Sequence, residues 1–254
     1  MFKRIATLVV LAGTLSLAGC ASGSKYRGLD AAGVYRLALE EYERGDYGDA
    51  AETLDRLLLA YPTFEQAPEA YFLLGEAYFH DEQYITSAAE YARFLSRYPA
   101  HRNAPSAALG ECRSYASLSP IPQRDQAYTE QALAVCRNVV ADYPGFPEAV
   151  EAAGVADAMR DKLAQKVYEN GHYYLRREFY DSSIIYFEQV VENYPESVWA
   201  PRSLLAIIQA YEAIGYEDEV AAARDRLLTQ YPDSTEARSI RTADDSGTPG
   251  SVPS

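Results

Sequence analysis

A tyrosine followed directly by a proline occurs five times in this chain of 254 residues. The pairs begin at residues 61, 98, 143, 194 and 231, so that successive pairs are 37, 45, 51 and 37 residues apart. A near-regular spacing of this size is typical of similar helical units stacked in series. Each pair follows a stretch with helical apolar periodicity, such as DAAETLDRLLLAY. Because proline cannot continue a helix, each pair is predicted to end one.

The residues around the pairs match the pattern of tetratricopeptide repeats, in which two antiparallel helices form a unit of about 34 residues. In the second unit the matching residues are Leu74, Gly75, Tyr78, Tyr91, Phe94 and Pro99. We therefore predict an all-α fold, a tetratricopeptide-repeat solenoid of five helix pairs (about ten helices) over residues 31–232. Gly75 and its counterpart Gly171 occupy the position where the two helices of a unit touch, which requires a small residue.

Two units depart from the regular period. In the third, Gly110 and Ala132 are separated by 22 residues where 12 are expected, and the excess lies in SLSPIPQRDQ, which predicts a lengthened turn. Between Pro147 and about Arg177 the apolar spacing continues without a strong helix breaker. We predict one long helix there, about 45 Å in length and shared by units three and four. Residues 233–254 are polar, with a Gly-, Pro- and Ser-rich end, and are predicted to be a disordered tail.

The N-terminus has the pattern of a secretion signal. Lys3 and Arg4 precede an apolar run that is too short to span a bilayer comfortably. The run ends in LAGC, which resembles the lipobox of bacterial lipoproteins, where the cysteine is lipidated and becomes the first residue of the mature protein. This resemblance predicts a signal peptide over residues 1–19, lipidation of Cys20, and a flexible tether over residues 20–30. Residue 21 is Ala rather than the Asp that resembles an inner-membrane retention mark in well-studied bacteria, so the outer membrane is the favoured location. The alternative to a lipoprotein signal is a simple cleaved signal followed by a chance cysteine.

The charge of the mature chain limits its partners. Without Lys3 and Arg4 it has 21 basic and 37 acidic side chains, a formal charge of −16. Such a surface repels phosphate backbones and anionic lipid, so nucleic acid is an unfavourable partner and the lipid is the expected membrane anchor. A hairpin turning near Pro120 would place Cys112 level with about residue 129, roughly 10 Å along the axis from Cys136. The two cysteines are therefore predicted to be unpaired, buried small residues.

The sequence offers no pattern for catalysis. The histidines His80, His101 and His172 are scattered and lack the spacing of metal ligands. A phosphate-binding glycine loop and a nucleophile motif are both missing from the sequence. We therefore expect a binding protein rather than an enzyme, with no catalytic residue, no metal and no cofactor.

The tetratricopeptide pattern places a binding surface on the first helix of each unit. The positions that face the concave side in the first two units include Tyr35, Leu39, Tyr42, Phe72, Glu76 and Phe79. Each of these two helices thus contributes two aromatic residues, seven positions apart, and we predict that they form a trough that binds a peptide with apolar anchors. The alternative is that Tyr35 and Phe72 only pack between repeats. In unit four the corresponding positions are Gln165, Tyr168, His172, Leu175 and Arg176.

Two segments carry a closer resemblance. QRDQAYTEQAL (123–133) and RDKLAQKVYENGHYYLRREFYDSSIIYFEQVVENYP (160–195) resemble the BamD family of outer-membrane β-barrel assembly lipoproteins. The resemblance covers about residues 17–236. It implies a lipid-anchored scaffold on the periplasmic side of the outer membrane that receives unfolded outer-membrane proteins. It also implies that the N-terminal units bind the C-terminal signals of these clients and that the C-terminal units dock on a BamA-like barrel protein, alongside other assembly lipoproteins.

Alternative functions remain at this point. A different tetratricopeptide lipoprotein, coordinating cell-envelope or division complexes, would share the fold and the compartment but not the barrel client. A lipoprotein enzyme would need a site that the sequence does not show. The long helix and the segment 160–195 favour the BamD family. The chain departs from that family in its Tyr-Pro pair at every unit, its two internal cysteines and its short tail.

Overall fold

A computed structural model describes residues 25–247, and side chains up to residue 242. Eleven α-helices and no strand occur in this part of the chain. The helices are α1 (Ala31–Glu43), α2 (Tyr47–Ala60), α3 (Ala67–His80), α4 (Tyr84–Arg97), α5 (Ala104–Leu118), α6 (Ala127–Asp142), α7 (Pro147–Leu175), α8 (Tyr180–Asn193), α9 (Trp199–Ile214), α10 (Glu217–Gln230) and α11 (Thr235–Gly247). The predicted signal peptide and Cys20 lie outside the described residues.

Helices adjacent in sequence pack against each other, which produces a solenoid of five helix pairs. Units one to five are α1–α2, α3–α4, α5–α6, α7–α8 and α9–α10, so the predicted all-α repeat fold is confirmed. The predicted long helix is also confirmed, because α7 has 29 residues and is about 43 Å long. It packs against both α5 and α6 of unit three and against α8 of its own unit, and therefore links the two halves of the solenoid.

The five Tyr-Pro pairs end the second helix of every unit in the same way. Each tyrosine is the C-cap residue, with φ between −133° and −124° and ψ between 50° and 66°. The following proline excludes the helical conformation at the tyrosine, so the chain must leave the helix there. The tyrosine N–H still donates to the carbonyl four residues earlier, as from Tyr61 to Leu57 at 2.8 Å. One residue pair therefore closes the last helical turn and also stops the helix.

Glycines allow the helices of a unit to approach closely. A Cβ atom on Gly75 would lie 2.8 Å from Cδ1 of Tyr91, and one on Gly171 would lie 2.7 Å from Cε1 of Phe187. Both rings are fully buried. Gly110, on the first helix of unit three, faces the other side of the Tyr91 ring. The ring of Tyr91 is thus held between two glycines of neighbouring units.

The prediction of unpaired cysteines is wrong, because Cys112 and Cys136 form a disulfide with a Cα–Cα distance of 4.9 Å. The prediction assumed a sharp turn near Pro120, whereas the non-helical loop extends from residue 119 to residue 126. Cys112 lies six residues before the end of α5 and Cys136 nine residues after the start of α6. This difference of three residues amounts to only about 4.5 Å along the helix axis.

The prediction of a disordered tail from residue 233 is wrong for residues 235–247, which form α11. Ser234 caps this helix by accepting a hydrogen bond from the N–H of Ala237 at 3.0 Å. Ala237 and Ile240 are buried in the C-terminal core. The sequence of this segment looks polar because only one narrow face is apolar, and that face covers the end of unit five. Residues 248–254 lie outside the described part of the chain.

The prediction of a flexible tether over residues 20–30 is wrong for residues 25–30. Lys25 forms an ion pair with Glu41, with 2.6 Å between Nζ and Oε1. Thr53 donates to the other oxygen of Glu41 at 2.6 Å and is hydrogen-bonded to the hydroxyl of Tyr26. The Glu41 carboxylate is buried, so these partners satisfy a charge that would otherwise be costly. They fix the chain on unit one immediately before α1.

None of the helices in the described part of the chain has the length and hydropathy needed to cross a bilayer.

Candidate peptide-binding trough

The six residues predicted to line the trough all lie on the first helices of units one and two. Each has a side chain that is partly buried and partly exposed, and they are Tyr35, Leu39 and Tyr42 on α1, and Phe72, Glu76 and Phe79 on α3. The four aromatic rings do not form one continuous row. They divide into a group near the N-terminal ends of the two helices and a group near their C-terminal ends.

Tyr42 and Phe79 belong to one cluster at the C-terminal ends of α1 and α3. The imidazole of His80 joins them, with ring centroids 5.9 Å from Tyr42 and 5.8 Å from Phe79. Tyr47 stacks on His80 at 4.8 Å and meets Tyr42 edge-on at 5.2 Å. Tyr84 meets Phe79 edge-on at 5.4 Å. We call these five residues the aromatic cluster, and we note that such offset contacts are the favourable ones for aromatic rings.

Tyr35 and Phe72 have separate surroundings at the other ends of the helices. Tyr35 contacts Phe64, which precedes α3, at 5.7 Å between ring centroids. Phe72 packs on Tyr91 at 6.0 Å and on Phe94 at 5.9 Å, both from α4. Phe72 therefore contributes to the packing of unit two as well as to the surface, whereas Tyr42 and Phe79 contact rings at the edge of the solenoid.

Two carboxylates stand beside the rings. Glu76 accepts a hydrogen bond from the hydroxyl of Tyr91 at 2.6 Å. Burial, reinforced by the nearby Glu76 carboxylate, raises the pKa of Tyr42 to about 12, so this phenol stays neutral at physiological pH. Glu69 lies 3.5 Å from His101 and 3.6 Å from Arg102. Burial and the charge of Glu69 raise the pKa of Tyr35 as well.

Sequence reasoning missed Tyr47 and Tyr84, the first residues of α2 and α4. Both follow a turn that contains a residue with positive φ, Gly45 at 82° and Glu82 at 59°. The turn reverses the chain and brings the start of the second helix next to the end of the first. The recurrence of tyrosine directly after the inter-helix turn, again at Tyr180, is the signal that could have identified them.

A second concavity lies on the C-terminal half of α7. It has a volume of about 530 Å³, and Tyr168, His172 and Arg176 line it together with Trp199 of unit five. Tyr168, His172 and Arg176 occupy positions that the tetratricopeptide pattern assigns to the concave side of unit four. Tyr168 packs on Trp199 with 4.9 Å between ring centroids. We call this concavity the unit-four cleft.

The lengthened loop between α5 and α6 forms one wall of the unit-four cleft. Gln123 in this loop donates to Glu169 at 2.7 Å. Lys162 donates to Ser119 Oγ at 2.8 Å, and Lys166 donates to the carbonyl of Arg124 at 2.9 Å. The loop is thus fixed on the long helix, and the insertion seen in the sequence shapes a surface between units three and five.

Within residues 25–247, no group of three or more His, Cys, Asp or Glu side chains is arranged to hold a metal ion. The chemistry that the trough offers is that of a recognition surface, with partly exposed rings, two carboxylates and a rigid frame of packed helices.

Comparisons with known proteins point to one protein family. The family model described as YfiO, outer membrane lipoprotein, matches residues 28–227. An outer membrane protein assembly factor BamD from Caulobacter vibrioides is 30% identical over 220 residues, which cover 85% of this chain and 71% of the relative. The assembly factor of the same name from Rickettsia prowazekii is 25% identical over 234 residues, which cover 91% of this chain and 92% of the relative.

Proposed function

The chain belongs to the YfiO/BamD family of outer-membrane lipoproteins, and we propose that it is an assembly factor for outer-membrane proteins that binds the C-terminal segments of unfolded clients in the trough of units one and two. The observation that carries this proposal is the aromatic cluster, in which Tyr42 and Phe79 occupy helix positions that the repeat pattern assigns to the concave side. It presents partly exposed rings on a rigid frame, and aromatic anchors of this kind contribute most of the affinity in peptide recognition. The family shares the broader role in outer-membrane protein assembly.

The C-terminal units of the solenoid are proposed to dock on a BamA-like barrel protein. The unit-four cleft supports this, since it combines an aromatic floor at Tyr168 and Trp199 with charged groups at Glu169 and Arg176. The two proposed surfaces lie on different units, and unit three lies between them, because it packs against unit two on one side and against α7 on the other. A client held at one end would then stay at a fixed distance from the machinery bound at the other.

Docking can be tested by purification of the full-length protein from its own envelope, followed by mass spectrometry of the proteins that co-purify. We expect a BamA-like barrel protein among them. Recovery of division or cell-wall proteins in its place would favour the alternative of a different envelope coordinator.

Alanine in place of Tyr42 or Phe79 should weaken the binding of a client C-terminal peptide by about 1–2 kcal/mol, because each change removes a ring from a desolvated contact. The measurement is fluorescence anisotropy with a labelled peptide of about ten residues, together with thermal melting of each variant. The informative result is a loss of affinity with an unchanged melting temperature. Phe72→Ala is less informative, since Phe72 also packs on Tyr91 and Phe94.

Glu52→Ala is the control for this experiment, since Glu52 is exposed on α2, the second helix of unit one. It should leave the affinity unchanged. If the Tyr42→Ala/Phe79→Ala double variant binds the peptide as tightly as the wild type, the trough is not the client site.

Serine in place of Cys20 should release the protein from the outer membrane, because the proposed lipid is its anchor there. We expect a soluble periplasmic form or an uncleaved precursor on fractionation. If the Cys20→Ser protein stays with the outer membrane after washing with high salt and carbonate, another interaction anchors it.

A further inference from the structure

Glu76 is held in one orientation at the trough. Its Oε1 accepts the hydrogen bond from Tyr91, whose ring is 1% exposed and lies between Gly75 and Gly110. Because that ring cannot move without a clash with either helix, the hydroxyl group is a fixed donor. The Glu76 carboxylate is therefore fixed by the core of unit two, although 29% of its side chain remains exposed.

The second oxygen of Glu76 faces the aromatic cluster. Oε2 lies 3.9 Å from Nε2 of His80, which is too far for a hydrogen bond. His80 stacks on Tyr47, and both rings meet Tyr42. A carboxylate oxygen therefore lies next to His80, whose ring contacts Tyr42 and Tyr47. Carboxylates and tyrosine rings are two kinds of group that attract an organic cation in proteins.

Among the described residues Glu76 has no ion pair with a lysine or arginine, and Arg113, whose charge acts on the neighbouring Tyr91, is itself paired with Glu151. Within 4 Å, the ion pair recorded for Glu76 is with His80, and a histidine is a weaker and pH-dependent counter-charge than an arginine. Asp81 adds a further negative charge, since its carboxylate oxygens lie 3.5 Å from the position of a Cβ on Gly48, the residue after Tyr47.

Glu69, the other carboxylate of the trough, has different surroundings. His101 and Arg102 both lie within 3.6 Å of its Oε1. The chain therefore neutralises one trough carboxylate with its own arginine and leaves the other facing aromatic rings. In a chain with a formal net charge of −14, a ligand that carries a positive charge complements Glu76.

We infer that the aromatic cluster binds a cationic side chain, arginine or lysine, of the client peptide, with the charge on Glu76 and the aliphatic stem or guanidinium plane against Tyr42 and Tyr47. The inference rests on the proposed function, to which it adds a requirement for a positive charge in the client segment. Glu76 and Tyr47 are the residues that determine this specificity.

The test uses the full mature protein and a host peptide of about ten residues, in which polar and apolar residues alternate and the last residue is phenylalanine. One arginine is moved through the polar positions, and at the position of highest affinity it is replaced by lysine, citrulline or norleucine. We expect the arginine peptide to bind about tenfold more tightly than the citrulline peptide, which has nearly the same shape without the charge. If the lysine peptide binds more weakly than the arginine peptide, the guanidinium plane stacks on the rings. If the lysine and arginine peptides bind equally, the effect is due to the positive charge alone.

Glu76→Gln is the matched variant, because glutamine keeps the acceptor for Tyr91 and removes the charge. It should bind the arginine and citrulline peptides with nearly equal affinity, while Glu69→Gln should keep the tenfold difference. Tyr47→Leu retains apolar packing without the ring and should lose part of the difference. Melting temperatures of all three variants, compared with that of the wild type, show whether each is folded.

Different failures have different meanings. If arginine and citrulline peptides bind the wild type equally at every position, while Tyr42→Ala/Phe79→Ala still weakens both, the inference is wrong and the proposed client site stands. The inference is also wrong if Glu76→Gln keeps the full arginine preference. If the host peptides do not bind the wild type at all, both the inference and the proposed client site are wrong.

Discussion

Leucine in place of Gly171 should lower the free energy of unfolding by about 2–3 kcal/mol, because it overpacks a closed contact. A Cβ alone at this position would lie 2.7 Å from the ring of Phe187, and that ring is fully buried. The ring cannot turn away, so α7 and α8 must separate. For a domain of this size, we expect the melting temperature to fall by roughly 5–10 °C, as measured by circular dichroism.

Gly154 provides the control on the same helix. It lies in the interior of α7 and is exposed, and nothing lies within 4 Å of a Cβ built on it. Gly154→Leu therefore gains helix propensity without a clash and should stabilise the protein by about 0.5–1 kcal/mol. Opposite signs at two glycines of one helix would separate packing from propensity. Equal changes in melting temperature for Gly154→Leu and Gly171→Leu would contradict the close contact in unit four.

Periodicity and breakers were sufficient to predict most of the fold. The five tyrosines before prolines identify the ends of the second helices, because the proline acts through local sterics that do not depend on the rest of the protein. The long helix α7 was predictable for the opposite reason, since between Pro147 and Leu175 nothing interrupts the helical pattern. Such local effects are encoded within a few residues and can be recognised in a single sequence.

Features that depend on distance in space were not predictable in the same way. The pairing of Cys112 with Cys136 depends on where the loop of residues 119–126 starts and ends. An error of a few residues in the loop shifts the predicted position of α6 along α5 by about one helical turn. The helix α11 is stabilised by the burial of Ala237 and Ile240 against unit five, a tertiary effect that its polar composition conceals. Local propensity is a weak guide wherever tertiary packing decides.

The trough illustrates the same division. The repeat pattern places Tyr42 and Phe79 on the concave face, because their positions on the first helices follow from the register alone. It does not give their neighbours Tyr47 and Tyr84, which the inter-helix turns bring into contact, nor the hydrogen bond from Tyr91 that fixes Glu76. The charge imbalance between Glu69 and Glu76 is likewise visible only once Arg102 has been placed in space.

Loss of the disulfide should destabilise unit three by about 3 kcal/mol. Cys112 and Cys136 are 24 residues apart in sequence, and a cross-link over a loop of this length restricts the unfolded chain by an amount that corresponds to about 3.5 kcal/mol at 25 °C in the chain-entropy model. Three of the five other buried residues in the surrounding core are alanines, Ala108, Ala152 and Ala156, beside Leu109 and Val139. Apolar burial there is correspondingly modest, so the covalent bond contributes a larger share of the stability than it would in unit two.

The Cys112→Ala/Cys136→Ala variant should melt at a lower temperature than the oxidised wild type, and a reductant should lower the melting temperature of the wild type but not that of the variant. Because both sulfurs are buried, opening of the bond must be verified by alkylation and mass spectrometry after mild heating with the reductant. Hydrogen exchange should then increase most in α5, α6 and the first half of α7, the helices that meet at this bond. If the fully reduced wild type keeps the melting temperature and exchange protection of the oxidised protein, the packing of unit three is sufficient without the cross-link, and its contribution lies below the predicted 3 kcal/mol.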